Sequence, residues 1–263
     1  MPKRDLYFRT PLMNATGMLG FYPDVRELAN LGSLVNDFGA FVTNPLSARP
    51  RKPTTHPALA DYPGGFLLHT GLPNPGLAAA IKKYAHKWAD ASLPVIVHLM
   101  ADRPEETARM VASLENVDNV MAAELSFAPD VHQKPVFSEK TGFWENVILP
   151  TLKMSLGELP LIVSLQMEQA VTLGSRVVEA GAAAVSLAAP RGRLNTDDGS
   201  LVTGRLYGPS LFPQALETVS RLVGAGVPVI GGGGVYKQEQ ARAMEEAGAM
   251  AVQLDAVLWR GGF

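Results

Sequence analysis

The sequence predicts a (β/α)8 TIM barrel whose last helix is missing or much shortened, and three observations predict it. Eight short apolar runs alternate with stretches of helical spacing along 263 residues. Runs without a polar face belong in a parallel sheet buried on both sides, and eight of them suit a closed barrel better than an open sheet. Finally, only eight residues follow Asp255, where the eighth run ends, which is too few for a full helix. No repeat and no linker divides the chain, so residues 1–263 are expected to form one domain.

The elements follow in order. Pro11–Ala15 reads as the first strand, and a helix runs from Asp24, a plausible N-cap, through Leu31. Gly39–Thr43 is the second strand. A long Pro-rich loop, Asn44–Pro75, comes next, and its apolar Phe66, Leu67 and Leu68 favour an ordered, folded-over conformation. Gly76–Ala89 has helical spacing and Leu93–Leu99 is the third strand. Asp102, Arg103 and Pro104 open a helix to Leu114, with Pro near its first turn. Val120–Ser126 is the fourth strand, Phe127–Gly142 a loop, and Phe143–Met154 a helix. Leu159–Leu165, Glu168–Ala180 and Ala183–Leu187 give strand, helix and strand. A second long loop, Ala188–Phe212, precedes the helix Pro213–Val223.

The last two strands carry the strongest local signal. Pro228–Val235 breaks into four consecutive glycines before the helical stretch Tyr236–Ala247, and Ala249–Asp255 echoes it. A strand that runs through glycines into a helix exposes backbone N–H groups with no side chain in the way, which suits a phosphate. A tight turn is the plainer reading. The last two strands of TIM barrels often build such a phosphate site.

Composition bounds the function. The chain is 47% apolar and 18% charged, an ordinary globular balance, and its net charge of −2 favours neither nucleic acid nor an anionic membrane. With no cysteine, disulfides, thiolate nucleophiles and cysteine-ligated clusters are excluded. No apolar stretch precedes the first strand as in a signal peptide, and no run reaches the length of a membrane span, so a cytoplasmic location is expected. His98 with Glu124 or Asp255 lacks the spacing of a metal site, and no metal is expected. Glu124, inside a strand, needs a polar partner. Arg191, Arg193 and Arg205 lie on one loop beside a glycine turn and either bind an anion or face solvent. Recurrent methionines (Met110, Met121, Met154, Met244, Met250) read as packing. The flank left by the short last helix should expose apolar surface, which points to a homo-oligomer or a partner subunit there, unless a loop covers it.

Six stretches in order, Pro11–Gly17, Gly71–Gly76, Glu124–Phe127, Gly204–Pro209, Pro228–Val235 and Gly248–Gln253, resemble the dihydroorotate dehydrogenase family of FMN-binding TIM barrels. The resemblance implies FMN across the C-terminal mouth, its phosphate on the glycine turns, a dihydropyrimidine stacked on its ring, and hydride transfer to the flavin. By position it nominates Ala15, Thr16, Gly17, Thr43, Asn44, Ser164, Gly204, Arg205, Gly208, Gly232, Gly233, Gly234 and Asp255 for the cofactor, and Asn74 and Ser126 for the substrate. It also places His69 at the substrate and Asp130 and His132 near the family's catalytic base.

The pattern departs from the family where the chemistry sits. Asn44 and Ser164 stand where the family carries lysines near the flavin. The loop after the fourth strand lacks the serine or cysteine base. Asp255-Ala256 replaces a Gly-Thr pair at the phosphate, and a carboxylate there repels a phosphate by roughly 1–4 kcal/mol per charge pair, unless Arg205 neutralises it. Asp255 alternatively faces solvent or pairs with Arg260. Three functions therefore stand at this level: a flavin oxidoreductase with an altered site, a flavin-free barrel binding another small anion, or an interaction subunit. Turnover of dihydroorotate itself is not expected.

Overall fold

The computed structural model describes residues 5–263 except 57, 128–141, 197, 198, 261 and 262. Eight parallel strands close into a barrel: β1 (Leu12–Asn14), β2 (Phe38–Val42), β5 (Val95–Met100), β6 (Val120–Ser126), β7 (Leu161–Gln166), β8 (Ala184–Ala188), β11 (Val229–Gly232) and β12 (Ala251–Leu254). Their spatial order is their chain order, with β12 beside β1 to complete the ring. Closure is possible because nearly every strand residue is apolar and buried on both faces.

Alternation along the strands divides the buried residues in two. One set fills the barrel: Met13, Ala40, Val42, Ile96, Ala122, Ile162, Ala184, Ile230 and Ala251. Small alanines face larger Ile and Met there, so the interior is packed and not a pore. The other set faces outward onto the helices α2 (Leu77–Ala89), α3 (Pro104–Ala112), α4 (Leu149–Met154), α5 (Met167–Glu179), α6 (Phe212–Gly224) and α7 (Gln238–Glu246). In α2 the inward residues Leu77, Ala80, Tyr84 and Trp88 recur at the helical period. Trp88 is fully buried and its indole N–H donates to Phe21 O at 2.8 Å, which ties the loop after β1 to the barrel wall. That loop carries the short α1 (Val25–Ala29), whose start is capped as expected by Asp24, the carboxylate accepting from Arg26 N at 2.8 Å.

Two elements depart from the sequence reading. The stretches expected as long loops contain strands β3 (Ala58–Tyr62), β4 (Gly65–His69), β9 (Arg191–Asn195) and β10 (Leu201–Tyr207). These form an antiparallel sheet in the order β3-β4-β10-β9, joining parts of the chain about 140 residues apart. Met154, expected in the core, is half exposed. The shortened last helix is present as α8 (Val257–Arg260), with Val257 and Leu258 buried and Trp259 46% exposed. Among the described residues no helix is long and apolar enough to cross a membrane.

Candidate active site at the barrel mouth

The antiparallel sheet stands beside the C-terminal ends of the barrel strands, and between them lies a cavity of about 870 Å³. Its floor includes Thr16, Gly17, Asn44, Met100 and Ala101, which end or follow β1, β2 and β5. Its walls carry five arginines, Arg49, Arg51, Arg103, Arg191 and Arg205, together with His69, against the acidic Asp102 and Glu106. Arg191 and Arg205 face each other in register across β9 and β10. Such an excess of guanidinium groups around one cavity favours an anionic ligand, which they can grip by paired hydrogen bonds.

Several nominated residues meet here. Thr16, Gly17, Asn44, His69, Gly204 and Arg205 all line the cavity, and His69 sits on β4, not on an irregular loop. Asn44 also pins the first loop, its side-chain oxygen accepting from Gly20 N at 3.1 Å. Thr16 Oγ1 donates to Thr43 O at 2.8 Å. Other nominated residues lie outside the lining. Asn74 is buried and organises its own loop: its Oδ1 accepts from Ser47 N, Ser47 Oγ and Gly76 N, and its Nδ2 donates to Leu72 O. It holds the wall; it does not reach the cavity. Ala15, Thr43, Ser126, Ser164, Gly208, Gly232, Gly233, Gly234 and Asp255 lie below or beside the cavity. Arg193 is exposed and donates to Thr203 Oγ1 at 3.1 Å, so it joins the surface. Asp130 and His132 lie outside the described residues. Arg49, Arg51 and Arg103 escaped the sequence reading because nothing local marks them; only the fold brings them to one space.

The glycine turn has a different character. Gly233 and Gly234 have φ of 102° and 71°, and a Cβ at Gly234 would lie 2.6 Å from Phe212 N, so glycine is required for both reasons. The N–H of Gly234 does not point at open space. It donates to Asp255 Oδ2 at 3.3 Å, and the backbone dipoles of Ala256 and Val257 at the start of α8 also favour the charged carboxylate. Asp255 is 5% exposed, which corrects the reading that it faces solvent; the side chain of Arg260 lies outside the described residues. Burial pushes its pKa up to about 6 against those backbone donors, and its Oδ1 has no hydrogen-bond partner among the described residues. Beside it Tyr207 stacks on Phe66 and packs on Trp259. Burial drives the Tyr207 hydroxyl above its ordinary pKa against the opposing charge of Arg205, and the Asp255 carboxylate adds to the rise.

These donors, a glycine turn and a helix start after the last two strands, are those on which a barrel seats a phosphate. The protein's own carboxylate already sits on them. Above about pH 6 the seat holds a buried negative charge, so it does not fit the phosphate of FMN at neutral pH.

The barrel's upper layer is polar where its lower layers are apolar. His98 Nδ1 and Glu124 Oε2 are 2.5 Å apart, and His98 Nε2 lies 2.8 Å from Ser126 Oγ. Ser186 Oγ and Gln253 Nε2 donate to Glu124 Oε1 at 2.6 and 2.9 Å. Burial raises the Glu124 pKa, but attraction to His98 and these hydrogen bonds outweigh it, and the net direction is down. The partner that Glu124 needs is thus a whole set. One signal was available: His98 and Glu124 are the ionisable residues of two adjacent buried strands, each two positions before a strand end.

A closed parallel barrel with an arginine-lined cavity at its C-terminal mouth defines a TIM-barrel protein. The family model for dihydroorotate dehydrogenase matches residues 4–263, and the chain belongs to that family. It is 32% identical over 266 residues to the dihydroorotate dehydrogenase B (NAD(+)) catalytic subunit of Pelobacter propionicus, covering 95% of this chain and 84% of that one. The same subunit of Trichlorobacter lovleyi is 31% identical over 265 residues with the same coverage. Among solved structures, the dihydroorotate dehydrogenase of Eimeria tenella in complex with ferulenol superposes with a TM-score of 0.69 at 14% identity, over 97% of this chain and 78% of that one. This last likeness supports the fold.

Proposed function

We propose that the chain acts on a small anionic ring compound held in the arginine-lined cavity, as an oxidoreductase of the dihydroorotate dehydrogenase type with a rebuilt site. The observation that carries the reading is the cavity itself: about 870 Å³, at the mouth of a barrel of this family, with five arginines and His69 around it. The volume suits a flavin ring or a dihydropyrimidine-like compound, and the guanidinium groups suit its carboxylate. Within the site, Arg191 and Arg205 grip the anion, Asn44 and Thr16 shape the floor, and His69 closes the side toward β4. FMN is the cofactor that descent implies, although the donors that Asp255 occupies do not fit its phosphate.

A second reading is favoured by one observation, the carboxylate on the phosphate donors. In it the barrel has given up flavin and binds its anion for non-redox chemistry. The visible spectrum of the purified protein, followed by titration with FMN, separates the two. Flavin absorbance bands or uptake at micromolar FMN support the oxidoreductase; colourless protein with no uptake leaves the second reading.

A partner subunit or second copy at the flank of α8 is part of the same proposal. It is supported by the half-exposed Trp259 there, and by the relatives being catalytic subunits. Sedimentation of the wild type and Trp259→Ser tests it: an assembly lost in the variant supports the interface, and a monomeric wild type with no partner removes it.

A further inference from the structure

The added sheet turns one face to the cavity. Residues directly opposite each other on neighbouring strands share a face, as do residues two apart along one strand. On β10 that set is Thr203, Arg205 and Tyr207, and opposite Arg205 stand Leu68 of β4 on one side and Arg191 of β9 on the other. All five line the cavity. The face thus has an apolar part, Leu68 and Tyr207, beside a cationic part, Arg205 and Arg191.

Two arginines directly opposite on one face repel each other, and a sheet selected for stability alone avoids such a pair. The register holds them there. Gly204, the residue before Arg205, is paired with Gly192, and a Cβ on it would lie 2.6 Å from Leu68 O, so only glycine lets β10 come this close to β4. An anion between the two guanidinium groups relieves their repulsion, and their planar forks suit a carboxylate.

Tyr207 completes the face. Its ring stacks on Phe66 with centroids 5.6 Å apart and packs on Trp259 at 6.3 Å, so it is clamped between β4 and α8. Trp259 is anchored in turn, its indole N–H donating to Met18 O at 2.9 Å. Arg205, two residues before Tyr207 on the same face, lies close enough for its charge to act on the Tyr207 hydroxyl. A phenylalanine would pack equally well there; what the hydroxyl adds is a fixed oxygen beside the guanidinium. Such an oxygen restrains a long, flexible side chain before any ligand arrives, which lowers the entropy lost on binding.

We propose that this face is the specificity wall of the cavity: a planar ring acid lays its carboxylate on Arg205 and Arg191 and its ring on Leu68 and Tyr207, and Tyr207 is the residue that positions Arg205. This wall presupposes that the cavity binds an anion, as proposed above, and adds the class of anion and its orientation. No flavin is needed for it.

The probe is picolinate, a planar ring carboxylate, with picolinamide, its uncharged amide, as the control, each titrated into the protein by calorimetry. Wild type should bind picolinate at least tenfold more tightly than picolinamide. Tyr207→Phe keeps the ring and removes only the hydroxyl; it should weaken picolinate about fivefold and change picolinamide less than twofold. In an Arg205→Ala background the same substitution should change picolinate affinity less than twofold, because Tyr207 acts through Arg205. A Tyr207→Phe variant that loses both ligands alike or neither, or that shows its full effect without Arg205, overturns the proposal and leaves anion binding in place. A wild type that binds picolinate no better than picolinamide overturns the anion-binding reading and this wall together.

Discussion

Two carboxylates are buried at the C-terminal end of this barrel, and the protein treats them in opposite ways. Glu124 lies inside the ring of strands with a histidine on one oxygen and two donors on the other, and its pKa falls. Asp255 lies at the end of the last strand on the Gly234 N–H, with one oxygen lacking a partner among the described residues, and its pKa rises to about 6. Burial pushes both upward. The difference is made by donors: a histidine partner and a full set of hydrogen bonds outweigh desolvation, and backbone dipoles alone do not. One carboxylate is thereby a fixed component of a network, while the other fills a seat built for an anion.

The largest effect should come from breaking the paired one. Glu124→Ala leaves His98, Ser186 and Gln253 without their acceptor and should cost about 3–5 kcal/mol in urea denaturation, as the loss of one member of a buried pair does. A cost below about 1 kcal/mol would mean that the network is loosely held.

Asp255→Asn should move stability the other way at pH 8. The folded carboxyl keeps its proton up to about pH 6, against 3.8 for the ordinary side chain, so between those values the folded state binds more protons. Stability contributed by this group is therefore present below pH 3.8 and lost as pH rises toward 6, by about 3 kcal/mol at most. The amide has no charge to bury, so the variant should be more stable than wild type at pH 8, and the gain should vanish near pH 4. Glu124 has the opposite sign: its contribution is present above the ordinary carboxyl range and lost as pH falls through its lowered pKa. Denaturation of both proteins from pH 4 to pH 8 checks the pair of signs.

The open cavity should answer to charge removal alone. Arg191→Ala with Arg205→Ala should weaken picolinate binding about 30-fold in calorimetry, since each charged hydrogen bond contributes roughly 1.5–3 kcal/mol and solvent screens part of it. The exposed Arg193→Ala should change affinity less than twofold.

How much of this was legible in the sequence depends on how local each feature is. The barrel strands were readable because runs such as Val95–Leu99 and Leu161–Leu165 are apolar on both faces apart from His98 and Ser164 near the barrel mouth, which few other structures permit. The four strands of the added sheet were missed because they are short and half exposed. Their partners are also remote: Leu67 pairs with Leu206 and Arg191 with Arg205. The arginine cavity follows from that pairing, so it too was hidden; Arg49, Arg51 and Arg103 had no spacing to betray them. Asp255 was visible as a departure at the glycine turn, but its burial was not, because a strand-end aspartate more often faces water. The tie between His98 and Ser126 was within reach, since the strand alternation points both into the barrel.

The Asp255 carboxylate occupies a donor on which a barrel of this kind seats a phosphate. The decisive measurement is the FMN dissociation constant of Asp255→Gly against wild type at pH 8, read by quenching of flavin fluorescence. Removing the carboxylate frees the Gly234 N–H and takes away the buried charge beside it, and FMN should bind at least tenfold more tightly. An affinity unchanged within twofold would contradict the claim, and would mean that these donors are a turn and a helix cap with no relation to a ligand.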